Sequence, residues 1–477
     1  MQPFLVRAGR VITDPGAGPG VIAQGAVLVA GGEIAAVGTF DALSAAHPDL
    51  PVTGDGSAVL MPGLINAHDH GRGLSPQSLG IMDDLLEPWI LSLMQLPPLD
   101  PGTETRLTAL RQLKSGITTT VNSYYHPACA PEPAEAVLEG YEAAGIRASL
   151  IFSAMDMPAT TRLLEAAQAI LPPELQQEVA TFRAGRRAFD PAVFEATLRR
   201  LAAGRRGARV DVMTGVVSGH WSSDAQLRGV AALARELGLA QQMHLLESRW
   251  QARDNALHPE GSITRHLAAQ GVLEPGVSCA HCVQMGPDDW QVMAEAGASV
   301  VHNPSSNLRL QSGIAPVPGM IAAGVNVALG LDSMGLDDRP DMFAEMRLAH
   351  RLHGRLSARD VLAMATVRGA QAIGQGGRLG RLAPGCRADM VLLRDAEIFA
   401  PGLAAPDQVF DRVLHYGGPE LVQDVWVEGA QVLSEGRHPQ LDEVELQDLL
   451  AESLPEEASP LAGFVARIRP YLHRVMG

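Results

Sequence analysis

Several residues in this chain stand where a hydrolytic centre would need them. His68-Asp69-His70 is a histidine pair at period two. On an extended strand both imidazoles then project to one side, one residue pitch apart, as two ligands of a single metal ion require. His244, Glu247 three residues further on, and Asp332 supply a third imidazole, a proton carrier and an acid to complete the shell. A divalent ion held by neutral imidazoles and one carboxylate keeps an open position for water and lowers that water's pKa to around 7. Asp332 can touch the ion and accept the water's proton, while Glu247 can carry a proton to a leaving nitrogen. His281 can polarise the electrophile or steady the attacking oxygen. The set suits attack on an sp² carbon. Taken alone, His68 and His70 read equally well as polar residues at a strand end; the constellation gives them weight.

These residues fall on a regular series of elements. Short apolar, β-branched runs at 60–68, 116–123, 148–154, 208–218, 239–247, 276–282, 299–304 and 326–332 alternate with helical patterns such as AEAVLEGYEAA and SDAQLRGVAALARELG. Eight strand–helix units between residues 60 and 375 predict an α/β fold, a (β/α)8 TIM barrel, with a doubly wound open sheet as the alternative. His68, His220, His244, His281 and His302 each lie at or just past the C-terminal end of a predicted strand, the rim that carries active sites in such barrels. Residues 1–59 read as short strands between Gly, Pro and Asp turns, and 376–438 return to that texture. The two ends are therefore expected to build one composite β-sandwich domain. Segment 439–477, acidic with an apolar helical period, reads as one or two surface helices, and 156–206 is long enough to add a helix or lid to its βα unit.

Composition narrows the function classes. The 477 residues include 37 Lys plus Arg against 53 Asp plus Glu, a net charge of −16 that would repel a nucleic-acid backbone. At 46% hydrophobic residues the chain can bury a sizeable core. Four scattered cysteines, Cys129, Cys279, Cys282 and Cys386, exclude a disulfide framework and point to a reducing, cytoplasmic setting. The first residues lack a signal-peptide pattern, and no run of 18 apolar residues occurs, so neither export nor a membrane partner is expected. The expected partners are a small-molecule substrate and, at most, further copies of the chain as a homo-oligomer.

The motifs PGLINAHDH, HLLE, the His281 strand, HNPSSNLRLQSG and GLDS, followed by DMFAEMRLA and GRLGRLAPGCRADMVLL, occur in the order that resembles the amidohydrolase superfamily, specifically its cytosine deaminase and chlorohydrolase-like branch. The resemblance runs over roughly residues 5–435. It implies a barrel with a composite β-sandwich and a single divalent metal on His68, His70, His244 and Asp332. Zinc is the default for imidazole ligands, with iron or manganese as alternatives. It also implies proton-transfer roles for Glu247 and His281 and a substrate contact for His220. Binuclear members bridge their ions with a carboxylated lysine at the end of strand four. That region here reads DVMTGVVSGHW, and the sole lysine, Lys114, lies on a helix before strand two, so one ion is favoured. The implied reaction is hydrolytic deamination of an aminated nitrogen heterocycle or cyclic amidine. Hydrolysis of an amide, carbamate or urea, or hydrolytic dechlorination, is the alternative at the same centre, because the ion does not select the leaving group. A non-catalytic binding homologue is disfavoured by the intact residue set.

Four further residues are candidates for substrate contact or for plain structure. Trp221 walls the pocket or packs; Arg72 meets an anionic or carbonyl-bearing substrate or forms a structural ion pair. His302 sits near substrate or is buried in a loop held by Asn303 and Asn307. His126 after strand two is similarly balanced. The Cys279-x-x-Cys282 spacing lies within a predicted strand and reads as small core residues rather than a redox pair. GRGLSP after His70, and Ser333 after Asp332, depart from the branch's usual residues and leave the substrate open.

Overall fold

The fold is that of a computed structural model, which describes residues 2–476 apart from 55, 159, 256, 257, 259, 334, 336 and 395–407. The chain opens on β1 (Phe4–Ile12), β2 (Val21–Ala30), β3 (Glu33–Thr39), β4 (Val52–Thr53) and β5 (Val59–Pro62). Eight further strands follow: β6 (Leu64–Asp69), β7 (Ile117–Tyr124), β8 (Arg147–Ala154), β9 (Val210–Val216), β10 (Gln241–Leu245), β11 (Val277–His281), β12 (Ser299–His302) and β13 (Asn326–Leu329). The last strands are β14 (Met390–Leu393), β15 (Val422–Val427) and β16 (Ala430–Leu433). All eight predicted barrel strands form.

Strands β6 to β13 lie side by side in chain order, all parallel, with helices between them. Buried on both faces, strands such as β6, β8 and β11 are continuously enclosed rather than alternating, the pattern a helix-covered parallel sheet imposes. The sheet closes on itself where the chain leaving β13 meets β6: the backbone N–H of Asp332 donates to the carbonyl of His68 at 3.0 Å, and that of Leu331 to Asn66 Oδ1 at 2.9 Å. Gly330 is what lets these segments approach. A Cβ there would stand 2.8 Å from the His68 carbonyl oxygen and 2.5 Å from Asn303 Oδ1. The open-sheet alternative is thereby excluded.

The two chain ends combine as expected, in one continuous sheet of order β16-β15-β14-β5-β1-β2-β3, with β4 beside β1. Antiparallel pairing of β14 with β5, Met390 opposite Pro62 and Leu393 opposite Val59, joins the late half to the early half. The sequence reading differs from the structure at 60–68, which is not one strand. Residues through Pro62 belong to the composite sheet, and the barrel begins at Leu64. The break falls at Gly63, where a Cβ would come within 2.0 Å of Thr118 Oγ1, so only glycine can cross there.

The 156–206 segment carries helices Thr161–Ala167, Pro173–Ala184 and Pro191–Ala202, and the first two stand above the barrel mouth rather than along its side. Helix Glu443–Glu452 packs Leu446 and Leu450 on Leu107 and Leu110, and its Glu443 pairs with Arg111 and with Lys114, the sole lysine, at 2.7 Å. Helix Ala462–Met476 packs on the segments over the barrel mouth. Among the described residues no helix is long and apolar enough to cross a membrane.

Candidate active site

Strand ends bring the candidate ligands together from opposite sides of the barrel. In β6 the period-two pattern turns His68 inward, and His70 follows just past the strand. Asp69 between them faces away, where its carboxylate accepts from Asn66 Nδ2 at 2.6 Å and from the Gly71 N–H at 2.7 Å. His244 projects from β10, His281 ends β11, and Asp332 follows β13. Ligand atoms of His68, His244, His281 and Asp332 all lie within 4.8 Å of one another. His70 joins them, its Nε2 3.1 Å from Asp332 Oδ1 and 3.4 Å from His244 Nε2. The backbone bends sharply to aim these groups: His281, Asp332 and Ser333 carry φ of 73°, 51° and 101°, a region that non-glycine residues enter at a cost of order 1–3 kcal/mol each.

The imidazoles are held in the tautomer a metal site demands. His70 Nδ1 is 3.0 Å from the Ser123 carbonyl, and His244 Nδ1 is 2.6 Å from the Val217 carbonyl. A carbonyl can only accept, so both Nδ1 atoms carry a proton, and in the neutral ring each Nε2 is then the atom free to ligate. His68 Nδ1 meets Gln242 Oε1 at 2.6 Å. Gln242 cannot be turned round, because its amide nitrogen donates to the Ala67 carbonyl at 2.9 Å. His68 is therefore the donor there too. His281 Nδ1 faces Asn307 Oδ1 at 2.9 Å. The Nε2 atoms of His68 and His281 are buried without a hydrogen-bond partner, an arrangement that costs free energy unless another group fills it. Converging lone pairs, one carboxylate and orphaned nitrogens fit a divalent ion.

Electrostatics follow from this crowding. Burial pushes His244 well below the usual imidazole range, and the neighbouring His68, His281 and His70 add to it. Burial also lowers His281 to about 4, with Asp332 opposing. Burial alone would raise Asp332; the histidines around it outweigh that and hold it well below the usual carboxylate range. Glu247 goes the other way. Burial, reinforced by Asp332 and Glu87, pushes its carboxyl well above the ordinary range, and its Oε1 lies 3.7 Å from His281 Nδ1.

A cavity of about 1050 Å³ opens onto this cluster. His70, His244, Glu247, His281 and Asp332 form its floor. Leu86, Trp89, Ile90, Met155, Trp221 and Leu310 form an apolar wall, and the indole N–H of Trp89 has no partner among the described residues. Phe182, Arg183, Arg186 and Arg187 face its outer part. Arg72 lies on the cavity lining with His70, and its charge acts to lower the carboxyl of Glu104, which burial raises.

The other sequence candidates separate here. Trp221 is on the cavity wall. His220 is buried beside it, off the lining, with neither ring nitrogen hydrogen-bonded, and burial lowers it to about 3. His302 lies away from the cavity: its Nε2 meets His353 Nε2 at 3.1 Å in the interior. His126 caps its own turn, its Nδ1 accepting from Ala130 N–H at 3.4 Å. Cys279 and Cys282 are buried thiols, Cys279 pushed up to about 12 by burial, which suits packing and not redox exchange. Sequence reasoning did not find Gln242, Ser123, Val217 or Trp89. For Gln242 a signal existed: it lies two residues before His244 and so shares its inward face, a polar side chain where a barrel interior is ordinarily apolar.

A closed (β/α)8 barrel with a histidine–carboxylate cluster at the C-terminal ends of its strands, joined to a composite sheet from both chain ends, defines a class of metal-dependent hydrolases. The amidohydrolase family model matches residues 59–429, and the chain belongs to that family. Residues 25–49, which include most of β2 and all of β3, also match an imidazolonepropionase-like composite domain of bacteria. The chain is 31% identical over 459 residues to 5'-deoxyadenosine deaminase of Methanosarcina mazei, covering 93% of this chain and 95% of that protein. It is 28% identical to 5-methylthioadenosine/S-adenosylhomocysteine deaminase of Moorella thermoacetica, covering 94% and 97%. Among solved structures, an adenosine deaminase from Xanthomonas campestris with bound zinc superimposes with a TM-score of 0.76 at 24% identity, covering 99% of this chain and 98% of that one. Atrazine chlorohydrolase from Arthrobacter aurescens, complexed with zinc, gives 0.79 at 20% identity, covering 95% and 100%.

Proposed function

We propose that this protein is a zinc-dependent deaminase of the adenine ring in a 5'-modified adenosine, such as 5'-deoxyadenosine or 5'-methylthioadenosine. The observation that carries the reading is the arrangement of the cavity floor: two carboxyl groups flank His281 beside the histidine cluster, Glu247 Oε1 3.7 Å from its Nδ1 and Asp332 Oδ2 3.6 Å from its Nε2. Deamination needs both. Water must lose a proton as its oxygen bonds to C6 of the ring, and the amino group must gain one before the C6–N bond breaks and ammonia leaves.

His68, His70, His244 and Asp332 would hold the ion. When bound, it supplies a Lewis acid that makes water nucleophilic at neutral pH. Asp332 accepts the proton of the attacking water. Glu247 hydrogen-bonds the ring nitrogen next to C6 and delivers a proton toward the departing amine. His281, fixed by Asn307, steadies the oxygen that adds to the ring. Leu86, Trp89 and Trp221 exclude water from the ring, and a cavity of about 1050 Å³ leaves room for the sugar and its 5' substituent. The likeness to the two deaminases supports the nucleoside assignment.

The test is ammonia release, with the accompanying change in ring absorbance, from 5'-deoxyadenosine, 5'-methylthioadenosine, S-adenosylhomocysteine and adenosine. A panel of amides, carbamates and chlorinated triazines is run beside them. Turnover of a 5'-modified adenosine is the expected result. Turnover confined to the second group would overturn the deaminase reading.

A further inference from the structure

The cavity's outer walls do not belong to the barrel, and one helix holds them. One wall is helix Leu86–Leu93, which presents Leu86, Trp89 and Ile90; the other is helix Pro173–Ala184 with the loop after it, which presents Phe182, Arg183 and Arg186. Between and behind them lies helix Ala462–Met476, outside the region that the family model matches. Its Phe464, Val465, Ile468 and Leu472 share one apolar cluster with Leu91 of the first wall, with Leu175 and Val179 of the second, and with Leu164 of helix Thr161–Ala167. The Phe464 ring also packs on Phe182, centroids 5.2 Å apart, and Phe182 itself lines the cavity.

Polar contacts latch the same helix to three of the segments around the mouth. The carboxylate of Asp84, two residues before the first wall, is almost fully buried and accepts from Arg469 Nε at 2.6 Å and from His473 Nε2 at 3.0 Å. Arg467 pairs with Glu178 of the second wall at 2.5 Å. Arg253, from the helix just beyond Glu247, donates to the carbonyls of Val475 and Met476 at 3.1 and 2.6 Å. Ser248 Oγ, next to Glu247, donates to Glu87 Oε1 at 2.5 Å, so the first wall is tied to the catalytic loop as well.

We propose that helix Ala462–Met476 is a strap that fixes the spacing of the two cavity walls, with Asp84, Arg469 and His473 as its latch. These are positioning residues for the part of the substrate beyond the reacting ring. The strap's polar contacts reach Asp84, Glu178 and Arg253, and none of them is made to the strand-end ligands or to Glu247 itself. The strap therefore governs which substituents the pocket accepts, not the chemistry.

Hydrogen exchange on the full-length, metal-loaded protein tests this without a substrate. In Arg469→Ala/His473→Ala, amides of 86–94 and 161–184 should exchange about tenfold faster, with β6, β10 and β11 unchanged and metal content equal to wild type. Arg469→Lys, which keeps a cation against Asp84, should retain most of the protection and shows whether the charge contact matters if the double variant fails to fold. The kinetic arm rests on the deaminase reading: KM for 5'-deoxyadenosine should rise about tenfold with kcat within twofold. If wild type turns over no nucleoside, that reading fails and exchange alone decides the strap. Wall exchange left at wild-type rates, or Arg469→Lys as disruptive as the double variant, would overturn the proposal, as would kcat falling with KM unchanged.

Discussion

Replacing Gln242 by leucine tests whether tautomer control, and not ligand identity alone, makes this cluster a metal site. Gln242 is buried and makes three hydrogen bonds: it accepts from His68 Nδ1 at 2.6 Å, and donates to the Ala67 carbonyl at 2.9 Å and to Ser278 Oγ at 3.0 Å. Leucine is similar in size but leaves the His68 N–H and the Ala67 carbonyl without partners. At about 1–3 kcal/mol for each buried orphan, the loss of stability should total roughly 2–6 kcal/mol. His68 is then free to exchange tautomers and to turn, and losing such an outer partner lowers metal affinity about 10–100-fold, or roughly 1.4–2.8 kcal/mol. The assay is chelator competition read by elemental analysis, which should find one divalent ion per wild-type chain. Gln242→Glu separates the two effects. Its carboxylate still accepts from His68, so the ion should stay, while the Ala67 carbonyl still loses its donor, so melting temperature should fall. If Gln242→Leu held metal as tightly as wild type, or Gln242→Glu lost it as completely as Gln242→Leu, the argument from tautomers would be refuted.

Two further outcomes follow from the carboxyls on the cavity floor and behind it. Glu247→Gln should keep the fold and the metal but lose about 10²–10⁴-fold in rate, the usual size of a general acid–base contribution; full activity would remove its role. Glu87, raised from 4.5 to about 7 by burial against the opposing Ser248 hydrogen bond, binds its proton more tightly folded than unfolded. Its contribution is complete below about pH 4.5 and is lost as pH rises through 7. By linkage this amounts to roughly 3 kcal/mol. The melting-temperature difference between Glu87→Gln and wild type should therefore shift in favour of the variant from pH 5 to pH 8, and a difference independent of pH would show that Glu87 ionises freely.

The positions of the barrel strands, apart from the division at Gly63, the rim on which the histidines stand and the pairing of His68 with His70 were legible in the sequence, because these are consequences of local period. Apolar β-branched runs bounded by helical patterns leave a parallel barrel as the economical arrangement, and residues two apart on a strand must share a face. Asp69 shows the same rule from the other side, turned away from its two neighbours into hydrogen bonds of its own. Tertiary structure alone decided what each imidazole leans on. Gln242 lies 174 positions from His68, and the Ser123 carbonyl 53 from His70. No local pattern encodes such contacts; they exist only when strands from distant parts of the chain are laid side by side. His302 makes the point in reverse. Its place at a strand end matches that of His281, yet packing against His353 draws it into the interior. Likewise, an acidic C-terminal segment with a helical period reads as a surface helix, and only its packing shows that helix Ala462–Met476 joins both walls of the cavity. Spacing along the chain fixes which side chains can share a face, but whether a face meets solvent, core or substrate is fixed by what the rest of the molecule packs against it.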